Sequence, residues 1–145
     1  RRLATLALSA PGATDTWTPS TGTSVACVDE AGSYSDADYT SALTAGLEYT
    51  GVTTDLSAAA QQYAVDTVVV AFRGLRGPLG TQNLKGLVRV GGVNYASAAN
   101  VVINLPTGAM GYTWAVFDQN PATAAIWTPS DINTAGFETG AQSVA

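Results

Sequence analysis

The sequence predicts a single-domain, all-β protein whose short antiparallel strands form a sandwich or a barrel across residues 1–145. Glycine and proline interrupt the chain at intervals of roughly 8–15 residues, which is the strand spacing of such folds. The segments between these breaks are rich in glycine and threonine and alternate apolar with polar side chains. A chain of this length removes roughly two-thirds of its accessible surface on folding, so it can bury a core.

The N-terminal residues 1–10 predict the first strand, which we expect to end at Pro11-Gly12. Two arginines followed by an apolar stretch also resemble a secretory signal peptide. The apolar run is only about eight residues long and is interrupted by Thr5, which is short for a signal peptide. It is also far shorter than the ~20 residues that a transmembrane helix needs. A strand is therefore the favoured interpretation.

The clearest strand covers residues 65–73, where side chains alternate between two faces. One predicted face has Val68, Val70 and Phe72, and the other has Val69, Ala71 and Arg73. Further strands are predicted at residues 85–90, 93–96, 100–105, 112–117 and 137–144. Gly91-Gly92 joins two of them in a hairpin, because glycine tolerates the positive φ of a tight turn.

Two short helical turns are expected beside these strands. Residues 57–63 contain alanine and glutamine, which favour helix. The other turn follows Trp127, where Thr128 is suited to the cap, Pro129 to the first position and Asp131 to the third. We expect Gly136 to end this turn, ahead of the last strand.

The chain contains one cysteine and no histidine. Cys27 lies in an apolar, strand-like run at residues 25–29 and is predicted to be a buried, inert thiol. It cannot form a disulfide within this chain. Without histidine the chain cannot form a Ser-His-Asp triad or supply a histidine base to a cysteine nucleophile. It also lacks the commonest zinc ligand. The sequence therefore predicts no enzyme, with no catalytic, cofactor-binding or metal-binding residues.

Charged residues make up 12% of the chain, about half of the ~25% that is usual. A surface built from small neutral residues suits a protein that packs against neighbours, because burying solvated charges is costly. An extracellular β domain with a Ser/Thr-rich surface is the alternative. Six basic residues against eleven acidic ones leave no basic stripe, which excludes nucleic-acid binding.

A distinctive order of short motifs runs through most of the chain. The motifs are Trp17-Thr-Pro-Ser-Thr-Gly22, Ala26-Cys-Val-Asp-Glu30, Asp36-Ala-Asp-Tyr-Thr-Ser41, Leu87-Val-Arg-Val-Gly-Gly-Val-Asn-Tyr-Ala96, Asn120-Pro-Ala-Thr123 and Trp127-Thr-Pro-Ser-Asp-Ile-Asn133. In this order the chain resembles a family of small virion structural proteins of tailed bacteriophages, with members that are minor head or tail components. The family pattern usually has a glycine after Asn-Pro-Ala-Thr, where this chain has Ala124-Ala125.

The resemblance implies a jelly-roll-like antiparallel β-sandwich without catalysis that functions by assembly. The expected role is a capsid decoration or cement subunit on the virion surface, or a minor tail component. The expected partners are the major capsid or tail proteins and further copies of the chain, for example in a trimer. The N-terminal segment and residues 73–80 are the candidate docking elements, because they combine cations with apolar side chains.

Four acids, Asp29, Glu30, Asp36 and Asp38, cluster in one predicted loop. Carboxylates are calcium ligands, but the spacing does not match an EF-hand loop. Solvated acids in a long loop are the favoured interpretation. A glycosidase would need two carboxyl groups facing each other across a cleft, which the sequence does not reveal.

The aromatic residues allow a second functional hypothesis, a carbohydrate-binding or adhesion module. A sugar-stacking platform could use Tyr34, Tyr39, Tyr95, Tyr112, Trp114 and Trp127. Packing in the core is the favoured alternative for these side chains. Trp17 and Trp127 in particular lie next to turns and caps, where large aromatic side chains close the ends of a core.

Overall fold

The computed structural model describes residues 3–28, 36–75, 83–98, 101–102 and 109–144. Strands account for 47% of the structure and helix for 8%, and the sheets are antiparallel. The predicted all-β, sandwich-like fold class is confirmed.

Ten strands are described in chain order: β1 Leu8–Asp15, β2 Thr18–Pro19, β3 Thr40–Ser41, β4 Glu48–Thr53, β5 Val68–Gly74, β6 Asn83–Val90, β7 Val93–Ala96, β8 Val101–Val102, β9 Gly111–Phe117 and β10 Glu138–Val144. Two 3₁₀ turns lie at Val25–Cys27 and Ala60–Gln62, and one α-helical turn, α1, lies at Pro129–Ile132. A turn predicted within residues 57–63 is therefore present.

The large sheet has the strand order β1-β4-β10-β6-β7, and β8 also pairs with β6. A second sheet consists of β5 and β9, and β2 pairs with β3 in a small third sheet. The core lies between the first two sheets. It is formed by the large sheet's Tyr49, Val88 and Ala141, the second sheet's Val70, Phe72, Ala115 and Phe117, and the flanking Leu56, Trp127, Ile132 and Phe137.

The two sheets approach most closely where β6 crosses Ala115 of β9. A Cβ placed on Gly86 would lie 2.4 Å from the Cβ of Ala115, closer than any real contact. Glycine is therefore required at this crossing. In β5, Val70 and Phe72 are buried in this core, while Val69 is exposed. The predicted division of this strand into two faces is confirmed.

Both tryptophans of the repeated Trp-Thr-Pro-Ser motif stabilise the fold. The indole N–H of Trp127 donates to the carbonyl of Phe117 at 2.8 Å, and its ring meets Phe137 edge-to-face. The indole N–H of Trp17 donates to the carbonyl of Leu47 at 3.0 Å. These positions confirm the structural interpretation of the motif.

The turn after Trp127 forms as predicted. Thr128 accepts a hydrogen bond from the backbone N–H of Asp131, and the Asp131 carboxylate accepts one from the backbone N–H of Thr128 at 2.7 Å. This reciprocal capping box satisfies two N–H groups that the first turn leaves unpaired. Pro129 occupies the start of the turn, and Gly136 follows it with φ +95° before β10 begins.

The hairpin between β6 and β7 also agrees with the sequence. Val90 pairs with Val93 across Gly91 and Gly92, whose φ angles are +59° and +85°. Two consecutive positive φ angles are the requirement of a type I′ turn, which matches the twist of the flanking strands.

The expectation that the first strand ends at Pro11-Gly12 is wrong, because β1 continues through both residues to Asp15. Among the described strands β1 lies at the edge of its sheet, where a proline without an N–H is tolerated. The register with β4 shifts between Pro11 and Asp15, so the strand bulges here. A Cβ on Gly12 would lie 2.3 Å from the Glu138 carboxylate, so the bulge rests directly on the sheet.

The strand-like run at Cys27 is a 3₁₀ turn instead, although the cysteine is buried as predicted. The Asp15 carboxylate accepts from the backbone N–H of Ser24, and the Thr23 hydroxyl accepts from that of Ala26. These local side-chain partners bind N–H groups that a strand would give to a neighbour. Of the strand predicted at residues 100–105, the described part is Val101–Val102, and the remainder lies outside the described residues.

Candidate binding face on the two-stranded sheet

The outward side of the β5–β9 sheet carries three cross-strand pairs, which we call the outer face. The pairs are Val69 with Val116, Ala71 with Trp114, and Arg73 with Tyr112. Side chains alternate between the two sides of a strand, and the intervening residues of β5 and β9 are directed at the core. The six side chains of the outer face therefore point away from it.

Most of this face is apolar and open to solvent. Tyr112 and Trp114 are each 62% exposed, Val69 is 54% exposed and Val116 is 47% exposed. Tyr112 and Trp114 lie two positions apart in one strand, so their side chains start roughly 7 Å apart on the same side of the sheet. Single exposed apolar residues are ordinary, but a contiguous apolar patch marks an interaction site.

Polar pairs lie at the two ends of the outer face. At one end the Arg73 guanidinium lies 2.9 Å from an Asp36 carboxylate oxygen and 5.5 Å from the centre of the Tyr112 ring. At the other end the Thr67 hydroxyl donates to the Asp118 carboxylate at 3.3 Å. An apolar centre that contains Trp and Tyr, with Arg and other polar groups at its rim, is a usual composition of a protein–protein interface.

The sequence contains a signal for this face that pattern analysis did not use. Residues 68–72 and 112–117 are largely apolar on both alternating sides, whereas a surface strand of a two-layer sandwich needs only one apolar side. The surplus apolar side marks the outer face as a candidate interaction surface.

The aromatic residues proposed for sugar stacking do not form one platform. Trp127 is buried in the core and Tyr95 packs against it, which agrees with the core interpretation. Tyr112 and Trp114 are exposed side by side on the outer face. Tyr39 is exposed beside the small β2–β3 sheet, and Tyr34 lies outside the described residues.

The acidic loop considered for calcium is described only in part. Asp36 pairs with Arg73, Asp38 is half-buried, and Asp29 and Glu30 lie outside the described residues. Within the described segments, no group of three or more His, Cys, Asp or Glu side chains is close enough to hold a metal ion.

A second polar cluster lies on the side of the large sheet that faces away from the core. The buried Glu138 carboxylate accepts from the backbone N–H of Ala13 at 2.8 Å and from the Thr50 hydroxyl at 2.5 Å. Arg89 lies 3.7 Å from its other oxygen. These contacts fasten the β1 bulge to the centre of the sheet.

The cluster continues across the sheet through Asn94. Arg89 donates to the Asn94 side chain at 2.8 Å, and Asn94 donates in turn to Glu48 at 2.8 Å. Gln142 donates to the other Glu48 oxygen at 2.7 Å. Because Glu138 and Glu48 are both engaged by neighbours, we interpret this cluster as structural. Sequence analysis missed it because its members come from five strands whose order the sequence does not specify.

The two candidate docking segments are described in part. Leu3 is almost fully exposed, whereas Leu6 packs against the core ahead of β1. Arg73 and Gly74 belong to β5, Leu75 is exposed, and residues 76–80 lie outside the described residues. The docking hypothesis for residues 73–80 stays a prediction, and within this segment Arg73 lies at the rim of the outer face.

In the part of the chain that the structure describes, no helix is both long and apolar enough to cross a membrane. Comparisons with protein-family models, with curated proteins and with solved structures found no match.

Proposed function

We propose that this chain is a non-enzymatic structural protein of a tailed-phage virion, either a surface subunit that decorates and cements the capsid or a minor tail component. The observation that carries the proposal is the outer face, an apolar strip that is exposed in the part of the chain that the structure describes. A building block functions through such contacts with its neighbours.

The energetics of the outer face support this proposal. An aromatic side chain has roughly 150–250 Å² to bury, and each buried Å² contributes about 25 cal/mol. At 62% exposure, covering Tyr112 and Trp114 therefore gains roughly 3 kcal/mol for each ring before the costs of association. A neighbouring subunit that covers the strip recovers this free energy.

The low charge of the chain and its motif order support the same function. Only 12% of residues are charged, and on the described outer face the charges lie at the ends. Neutral surfaces pack against neighbours at a low desolvation cost. The resemblance to small virion proteins of tailed phages suggests the assembly in which these contacts form.

Immunogold electron microscopy of purified virions, with antibody against this chain, tests the proposal. Regular label over heads supports a capsid decoration or cement role, and label confined to tails supports the tail role. Label absent from all particles, with the protein free in the culture, contradicts both.

A matched pair of variants tests the role of the outer face in assembly. Trp114→Ala removes its largest apolar side chain, whereas Tyr39→Ala removes an exposed aromatic ring elsewhere. We expect Trp114→Ala to reduce incorporation into virions and Tyr39→Ala to leave it unchanged. Equal incorporation of both variants would contradict an assembly role for the outer face.

A second candidate function is a carbohydrate-binding or adhesion module. The observation in its favour is the exposed pair Tyr112 and Trp114, beside which Arg73 and Asp36 offer groups that can bond sugar hydroxyls. The other apolar residues of the outer face, Val69, Ala71 and Val116, offer no side-chain hydrogen bonds, which favours a protein partner.

Fluorescence titration with host-surface polysaccharide separates the two candidates. Trp127 is buried and Trp17 is half-buried, so a ligand on this face should perturb chiefly Trp114. Saturable quenching that Trp114→Ala abolishes would support sugar binding. An unchanged signal supports the structural role.

A further inference from the structure

We infer that the outer face binds the outer face of a second copy of this chain, about a two-fold axis parallel to β5 and β9. The inference deepens the proposed building-block function and rests on it for its biological role. It is carried by the size pattern of the cross-strand pairs, which makes the face complementary to itself.

A two-fold axis parallel to the strands places β5 of one copy over β9 of the other. Each cross-strand pair then faces the same pair of the second copy. Trp114 of each copy therefore lies over Ala71 of the other. A large side chain thus meets a small one twice, which lets the two layers interdigitate. At the next level Val69 meets Val116, two side chains of equal size.

A two-fold axis perpendicular to the strands does not bring large side chains against small ones. It would bring Trp114 against Trp114 and Ala71 against Ala71, with a clash at one point and a void at the other. It would also place Arg73 of one copy against Val69 of the other, which buries a charge against an aliphatic side chain.

The parallel axis keeps the charged group at the rim. It places Arg73 over Tyr112 of the second copy, which repeats between chains the cation–π contact that the two residues make at 5.5 Å within one chain. Packed sheets lie about 10 Å apart with their strands within about 30° of alignment, a spacing that these side chains can fill.

The available area indicates a weak dimer. The exposed parts of Tyr112, Trp114, Val69 and Val116 offer on the order of 400 Å² per copy, or about 800 Å² in total. Specific interfaces of this size are weak and transient, so we expect a dissociation constant on the order of 100 µM. Such a contact becomes effective where an assembly holds many copies close together.

The test is sedimentation analysis of the wild-type chain and four variants between about 10 µM and 1 mM, a range that brackets the expected dissociation constant. We expect wild type to dimerise reversibly. Trp114→Ala leaves a void and Ala71→Trp sets two tryptophans against each other, so each should weaken association at least tenfold. The double variant that carries both substitutions exchanges the large and small positions and should restore association.

Tyr39→Ala is the control for loss of an exposed ring and should dimerise like wild type. Circular dichroism establishes that each variant is folded, which we expect because both substituted positions are exposed. A monomeric wild type at all concentrations would overturn the inference. Single variants that associate normally, or a double variant that stays as weak as the singles, would overturn it too.

These outcomes are separable from those of the proposed function. A monomeric chain that immunogold locates on virions would overturn the dimer and leave the structural role intact. If the double variant restores dimerisation but the antibody labels no particle, the dimer is supported and the virion role is contradicted. If polysaccharide quenches Trp114 fluorescence saturably while the chain stays monomeric, the dimer is overturned in favour of sugar binding.

Discussion

Trp114 lies directly opposite Ala71 on the outer face of the β5–β9 sheet, a large and a small side chain at one level of the ladder. The neighbouring residue of β9, Ala115, is buried against Gly86 of the large sheet. The second sheet therefore has one apolar side that forms the core and another that the chain leaves exposed. This difference between its two sides predicts which substitutions affect folding and which affect association.

Two tryptophan substitutions should separate stability from association. Trp127→Ala removes a core side chain and its hydrogen bond to Phe117, so we expect a loss of about 3–5 kcal/mol in the free energy of unfolding. Trp114→Ala should change that free energy by only about 0.5 kcal/mol, because its ring is exposed. Denaturant unfolding measures both. If Trp127→Ala does not fold, Trp127→Phe should show a smaller loss in the free energy of unfolding. Equal losses at positions 114 and 127 would contradict this assignment.

The close crossing of the two sheets predicts the effect of Gly86→Ala. The added Cβ would meet the Cβ of Ala115, so the sheets must separate, at a cost of about 1–3 kcal/mol. Ala115→Gly in the same chain removes the opposing methyl group and should recover part of this loss. A double-mutant cycle in urea measures the coupling, and additive effects would show that the two positions do not touch.

Ala124 predicts a stabilising substitution. Its φ of 56° lies in the left-handed region, which is unfavourable for alanine by roughly 1–2 kcal/mol and free of strain for glycine. We expect Ala124→Gly to raise the free energy of unfolding by about 0.5–1 kcal/mol, after the greater chain entropy of glycine. Ala122→Gly, in the same loop without a positive φ, is the control and should not stabilise. A destabilised Ala124→Gly variant would contradict this explanation.

Tyr49 predicts a loss of stability at high pH. Burial, with a smaller contribution from the Asp15 carboxylate, raises the pKa of Tyr49 to about 12 from its ordinary value of 10.0. The unfolded chain therefore releases this proton first, and stability that is complete below pH 10 declines as the pH rises toward 12. The loss amounts to roughly 2–3 kcal/mol.

Unfolding free energies measured from pH 8 to 12 test this expectation. Tyr49→Phe removes the titrating group and should flatten that part of the profile. Profiles of wild type and Tyr49→Phe that decline in parallel would contradict the assignment.

Local chemistry explains why parts of this fold could be predicted from the sequence. The Gly91-Gly92 turn and the Thr128–Asp131 capping box depend on neighbouring residues, and both form as expected. The end of β1 could not be predicted, because the contact that holds it joins Ala13 to Glu138, 125 positions apart. Strand order determines that contact, and the sequence carries no local signal for it.

The orientation of β9 is a further case in which the sequence was insufficient. Tyr112, Trp114 and Val116 alternate with Thr113, Ala115 and Phe117, so both sides are largely apolar and neither is marked as the inner one. Packing selects the second set, because only Ala115 fits beside Gly86. The more strongly aromatic side is thereby left outside, and it becomes the candidate binding face.

Iodide quenching of tryptophan fluorescence, recorded at about 10 µM and at about 1 mM, tests most directly whether a second copy covers the outer face. Trp127 is buried and Trp17 half-buried, so Trp114 provides most of the quenchable signal, and Trp114→Ala gives the baseline. The proposed dimer predicts that the quenchable fraction falls as the concentration rises and that the Trp114→Ala baseline does not change. A quenchable fraction that is the same at both concentrations would show that the outer face stays open and would contradict the proposed contact.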